Sequence, residues 1–389
     1  MHQARALPIV YALGWIVYDP REFKAPAVTG AATLNIALRS CEGAVSTSRC
    51  LQQRENLTMA ELDIARDDVI PGLDMGPYLR GEPGALDELA GKLRWTCENV
   101  GFFYIKNHGV PQALIDRTFS ASKRVHAMPI ERKREIALNE QNIGYMLVNQ
   151  SIQGHSKVEK ARKPNYNESF FCMRDRAPDD PDVIARKPFK GLNLWPADLP
   201  GFREDCLAYM NALEALGMRM LPVVARALDL PLDFFDAYFN PANLQLRLLH
   251  YPVRDESEPD QYGAGAHTDA GFMTFLVQHG IGGLQIRKTY GTWFDAPVLP
   301  GMFLINTADL LRRWTNDHWL STPHRVLNVS GTDRYSIAFF FGPDLDRELA
   351  CLPSCQDVDD PPKYPPISYG EYKKGFVAAN YFAVKPAPS

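Results

Sequence analysis

The chain has 389 residues, 46% hydrophobic and 23% charged, a balance that supports a packed core and excludes an intrinsically disordered chain. Against 42 Lys and Arg stand 46 Asp and Glu, leaving a formal net charge of −4, so neither nucleic acid nor an anionic membrane is an expected partner. Seven scattered cysteines with no Cys-x-x-Cys pair support neither a zinc ribbon nor a disulfide framework, and free thiols in a reducing cytoplasm are the expectation.

Residues 1–58 mix Gly, Ala, Ser, Thr and Arg without sustained periodicity. They read as a leader or a mis-assigned start, with Met59 as a candidate initiator. The apolar stretch 7–18 is too short for a membrane span, which needs roughly 18–20 residues, and a signal peptide is the weaker reading. Residues 59–240 are expected to form a helical scaffold with a few strands, and residues 241–389 a β-rich core with a closing helix, both parts of one catalytic unit.

Ile70-Pro71-Gly72-Leu73-Asp74-Met75 reads as a short edge strand. Leu86, Leu89, Ala90, Leu93 and Cys97 recur at helical spacing and predict a helix over 85–99, followed by a buried strand over 102–106. Further helices are expected over 110–127, 130–138, 200–228 (with a kink at Pro222) and 230–239, and a polar loop over 141–161. Asn167 to Cys172 predicts a strand, and 174–200 a surface excursion. Strands are then predicted over 244–251, 271–278, 283–287, 292–297, 302–307, 324–328 and 335–342, with one helix over 367–381. Many short strands at this rhythm argue for a sandwich or barrel, and the fold class is α+β, mainly β with flanking α-helices around a jelly-roll core.

The chemistry concentrates in Gly265-Ala266-His267-Thr268-Asp269. On a regular strand His267 and Asp269, two apart, would share one face. One imidazole from another strand would complete two histidines and a carboxylate on one side of a metal, the facial arrangement suited to non-haem Fe(II). His324, in Ser321-Thr322-Pro323-His324-Arg325-Val326, is the candidate third ligand; His318 is its rival, in a turn-like stretch without the following Arg-Val. Arg334 and Ser336 are also two apart, so a guanidinium and a hydroxyl can grip one carboxylate. His108 and His250 read as structural, Asp309 as a turn former, and Phe272, Phe339 and Phe341 as candidate pocket residues, with Phe103 a weaker one.

His-x-Asp, His-Arg-Val and Arg-x-Ser occur in that order, with Gly101-Phe-Phe-Tyr-Ile-Lys-Asn-His-Gly-Val-Pro111, Leu246-Arg247-Leu248 before Tyr251-Pro252, and Gly283-Leu284-Gln285. Together they resemble the isopenicillin N synthase-like family of Fe(II)/2-oxoglutarate-dependent dioxygenases over about residues 70–381. The resemblance implies a distorted double-stranded β-helix. It also implies Fe(II) on His267, Asp269 and His324, with 2-oxoglutarate held by Arg334, Ser336 and Tyr251, and O2 as co-substrate. Oxidation of a small organic molecule with release of succinate and CO2 is the implied reaction, and a cytoplasmic monomer the expected form. In the family's pattern an Asn-Tyr-Tyr-Pro stands where this chain has Leu249-His250-Tyr251-Pro252, which puts one cosubstrate contact in question. An oxidase of the same fold that does not use 2-oxoglutarate is the alternative, because Arg-x-Ser there holds a carboxylate of the substrate itself. A non-catalytic jelly-roll protein with a structural metal is a third, opposed by the lack of a fourth ligand.

Overall fold

The computed structural model describes residues 70–381 except 155, 157, 160–162, 254–260, 288–290 and 328–330. All of them fall within one compact unit, Glu61–Ser389. The readings made for residues 1–58 therefore lie outside the described residues.

The first strand, β1 (Gly72–Asp74), lies at a sheet edge, where Pro71 costs no ladder bond. Helix α1 (Ala85–Asn99) buries Leu89, Ala90, Leu93 and Cys97 on one face, as its spacing requires. It leads into β2 (Phe102–Lys106). Helices α2 (Gln112–His126) and α3 (Ile130–Glu135) follow, each started by a proline at the N-cap. Next come β3 (Gly144–Met146), inside the stretch expected to be a loop, and β4 (Glu168–Met173). Gly144 permits β3 to start: it sits at φ +115°, and an added Cβ would lie 2.5 Å from the Ile136 carbonyl oxygen.

The longest helix, α4 (Phe202–Ala227), continues through Pro222. Residues 230–239 form consecutive turns, not the expected helix; bonds such as Phe234 N–H to Pro231 O and Tyr238 N–H to Phe235 O span three residues. Strands β5 (Asn243–Tyr251), β6 (Ala264–His267), β7 (Met273–Gln278), β8 (Leu284–Arg287), β9 (Trp293–Asp295) and β10 (Phe303–Thr307) then run in succession. A short helix, α5 (Asp309–Trp314), precedes β11 (His324–Val326) and β12 (Arg334–Gly342). The pair β13 (Glu348–Leu349) and β14 (Ile367–Ser368) delivers the chain to α6 (Tyr369–Asn380), where the sequence suggested helix alone.

Beside the small β13-β14 pair, the described strands form two larger sheets: an eight-stranded one in the order β1-β2-β10-β7-β12-β5-β4-β3, and a four-stranded one in the order β6-β11-β8-β9. Alternation assigns each large-sheet side chain to a face. Phe103, Ile105, Leu246, Leu248, Phe275, Ile305, Ile337, Phe339 and Phe341 join the core built with α1, α2 and α4. Their neighbours Phe102, Tyr104, Leu249, Tyr251, Leu304 and Ala338 join a second core with Leu284, Ile286 and Val326 of the small sheet. The large sheet is thus covered by helices on one face and by the small sheet on the other, a jelly-roll sandwich with buttressing helices.

Candidate metal centre

His267 ends β6 and stands directly opposite His324 of β11, with ring centroids 4.3 Å apart. Asp269 does not lie on a strand with His267; it is two residues past the end of β6. Its loop is fastened to the start of α5 instead: Asp309 N–H donates to Asp269 O (2.8 Å), Leu310 N–H to Gly271 O (3.1 Å), and Thr268 Oγ1 to Asp309 Oδ2 (2.9 Å). Asp309 is therefore the first residue of a helix and an anchor of the loop that carries Asp269, not a turn former.

Asp269 Oδ1 lies 3.7 Å from His267 Nε2 and 3.8 Å from His324 Nε2. One ligand atom from each of the three residues falls within 4.8 Å of the others. Every remaining polar atom of the triad is occupied. His267 Nδ1 bonds Gly265 O (2.8 Å) and His324 Nδ1 bonds Thr322 O (3.3 Å), so each Nε2 presents its lone pair to the common point. Asp269 Oδ2 accepts from Thr274 Oγ1 (2.6 Å) and Asn306 Nδ2 (2.8 Å). Burial alone would raise the Asp269 carboxyl, but His324, His267 and these two bonds outweigh it and hold it below the ordinary carboxylate range. Burial, then the neighbouring His324, pulls His267 down to about 4, keeping it neutral. Two imidazoles, one carboxylate and an open opposite side fit Fe(II).

The same cavity, about 640 Å³ with its open mouth, extends from the triad to Arg334 and Ser336. Arg334 is 1% exposed; its Nε donates to Gly282 O and its Nη2 to Gln278 Oε1, both at 2.8 Å. Its Nη1 is buried without a partner, and its Cζ lies 4.5 Å from the centre of the Tyr251 ring. Tyr251 and Arg334 are cross-strand partners of β5 and β12. A buried guanidinium with one unpartnered nitrogen fits the far carboxylate of a 2-oxo acid.

Other expected positions fall elsewhere. His318 is 44% exposed and pairs with Asp360 at 2.9 Å, outside the triad. His108 braces a turn, accepting from Val110 N–H and contacting Gly301 O. His250 bonds Glu168 at 2.8 Å and stacks on Tyr335, facing away from Tyr251. The pocket assignment of Phe272, Phe339 and Phe341 is corrected: all three, with Phe103, are fully buried in the helix-side core. On β12 the even-numbered residues face the site, so the aromatic there is Phe340; on β2 it is Phe102. The sequence reading also missed Thr274 and Asn306, which aim Asp269, and Gln278, which aims Arg334. Alternation along β7 and β10 could have found them once the faces were known.

Comparison with known proteins agrees with this geometry. Residues 70–198 match the family described as "non-haem dioxygenase in morphine synthesis N-terminal", and 242–343 match the 2OG-Fe(II) oxygenase superfamily. A curated relative from Emericella nidulans, "2-oxoglutarate-Fe(II) type oxidoreductase hxnY", is 36% identical over 319 residues, 80% of this chain and 90% of the relative. "2-oxoglutarate-dependent dioxygenase citB" of Monascus ruber is 32% identical over 293 residues, 73% of this chain and 87% of the relative. A crystal structure of a full-length Neurospora crassa protein in complex with alpha-KG superposes with a TM-score of 0.70 at 29% identity, covering 80% of this chain and 96% of that one. The chain belongs to the 2OG-Fe(II) oxygenase superfamily and is a non-haem Fe(II)- and 2-oxoglutarate-dependent dioxygenase.

Proposed function

We propose that His267, Asp269 and His324 hold the iron, and that Arg334, assisted by Ser336 and Tyr251, receives the far carboxylate of 2-oxoglutarate. The observation that carries the assignment is the unpartnered, buried Nη1 of Arg334 in the cavity that contains the triad. Bound Fe(II), with O2 and 2-oxoglutarate, supplies the oxidising power, and succinate and CO2 leave as co-products.

The chain's own residues position these groups. Thr274 and Asn306 fix the Asp269 carboxylate, while Gly265 and Thr322 fix the imidazole tautomers. Gln278 and Gly282 hold two guanidinium nitrogens so that the third points to the ligand. Next to Gly282, Gly283 lets the backbone pass close to the chain after β11: at φ +107° an added Cβ would lie 2.4 Å from the Leu327 carbonyl oxygen. Phe102, Leu249 and Ala338 line the remaining wall and keep the reacting centre dry.

The substrate is a small organic molecule, and the net charge of −4 argues against nucleic acid or an anionic membrane as its source. Among the described residues no helix is long and apolar enough to cross a membrane. The reading takes residues 59–389 as one catalytic unit of a cytoplasmic monomer, with residues 1–58 outside it. Alanine at His324 or Asp269 should each abolish Fe(II) binding measured by equilibrium dialysis, whereas His318→Ala should bind normally. Iron retention by the His324 variant and loss by the His318 variant would reverse the assignment.

A further inference from the structure

Beyond the triad lies a second chamber of about 670 Å³, open mouth included, which shares His267, Asp269, Asn165, Arg247 and Phe340 with the inner cavity. One wall is a single face of α6: Tyr369, Lys373, Phe376, Val377 and Asn380 recur at helical spacing. Lys373 is 5% exposed, and its Nζ has no hydrogen-bond partner. No ion pair reaches it among the described residues, and its Nζ lies 4.9 Å from the centre of the Phe189 ring. Burial pulls the ammonium down to about 7.

Arg247, across the chamber on β5, is the second cation. Its Nε and Nη2 donate to Ser169 Oγ (3.0 Å) and Asn167 Oδ1 (3.2 Å), and its Cζ lies 4.8 Å from the Phe171 ring centre. These partners are neutral, so its charge too is uncompensated among the described residues. Asp269 is the one carboxylate among the chamber's described lining residues, and it is committed to iron. Ferrous iron, Asp269, doubly negative 2-oxoglutarate and Arg334 balance one another. The two outer cations remain in excess, and a desolvated cation left unpaired is costly.

We propose that Lys373 is a specificity-determining residue that receives the carboxylate of a small acidic substrate, whose apolar body lies against Phe171, Phe340 and Phe376. The inference deepens the function proposed above and rests on it. A carboxylate matches a single ammonium in an otherwise apolar and amide-lined wall; a doubly charged phosphate would need more donors than this wall supplies.

The test uses the full chain, anaerobic, loaded with Fe(II) and saturating 2-oxoglutarate so that Arg334 is already engaged. Matched pairs (benzoate and benzamide, phenylacetate and phenylacetamide, indole-3-acetate and indole-3-acetamide) are titrated by calorimetry. At least one carboxylate should bind tenfold or more tighter than its amide. Lys373→Met should bring the pair within about threefold, and Lys373→Arg should restore the preference, with 2-oxoglutarate titrated in parallel as control. Wild-type protein that prefers no carboxylate to its amide, or a preference unchanged in Lys373→Met, overturns the proposal. Failure of the protein to bind 2-oxoglutarate at all would contradict the underlying function and take the inference with it.

Discussion

At the scale of single residues, the site depends on atoms left over after every local bond is made. Arg334 has three nitrogens and two partners; Asp269 has one carboxylate oxygen engaged and one facing two imidazoles. Burial works against the Arg334 charge and lowers its pKa, a cost that an incoming carboxylate would offset. Arg334→Gln should therefore weaken 2-oxoglutarate by a hundredfold or more, since hydrogen bonds to charged groups contribute about 1.5–3 kcal/mol each. Iron affinity measured without 2-oxoglutarate should change less than threefold. Equal losses of both would mean that the substitution damages the fold rather than the clamp. At this scale the sequence was informative: His267, Asp269, His324, Arg334, Ser336 and Tyr251 come together as their motifs suggested. What it could not show was why Asp269 reaches the site, because the bonds come from α5, a helix hidden in Asp309–Trp314 with no capping side chain.

At the scale of elements, alternation decides roles that composition cannot. Phe339 and Phe340 are chemically identical neighbours on β12, yet the first is wholly buried against the helices and the second borders the cavity. Phe339→Ala should cost about 3–5 kcal/mol of stability in chemical unfolding. Phe340→Ala should cost much less and alter substrate binding instead. A one-residue error in face assignment put two core aromatics, Phe339 and Phe341, in the pocket, because Phe339-Phe340-Phe341 is apolar throughout and carries no alternation of its own. The sequence placed His267 on a strand but gave β6 no bounds, since Ala264-Gly-Ala-His267 has weak strand propensity and forms through its pairing with β11. The helix α1 and the strand β2, by contrast, have bounds the sequence predicted, because their apolar periodicity is unbroken.

A second element-scale feature is the buried group behind β5, where Glu168 meets His250 at 2.8 Å and Lys133 at 3.1 Å. Burial would raise the Glu168 carboxyl, but the bond from His250 and the charges around it outweigh that and bring it down to about 2. A depressed carboxylate contributes stability that is present above its ordinary value near 4.5 and is lost as pH falls toward 2. Acid unfolding followed by circular dichroism should show wild-type stability declining steeply across that window. Glu168→Gln should be less stable than wild type at pH 7, and the gap between them should narrow as pH falls from 4.5 toward 2.

At the scale of the whole molecule, the two sheets do different work. The large sheet supplies Arg334, Ser336, Tyr251, Thr274 and Asn306; the small sheet and the loop that follows β6 supply the triad. The centre therefore exists only when the sandwich closes, and iron binding reports on closure of the whole fold. The most direct test is the anaerobic visible spectrum of purified protein on addition of Fe(II) and then 2-oxoglutarate. A weak metal-to-ligand charge-transfer band should appear only with both present, persist in His318→Ala, and be lost in His324→Ala. Bound iron without that band would contradict the 2-oxoglutarate clamp, and failure to bind iron would contradict the centre itself.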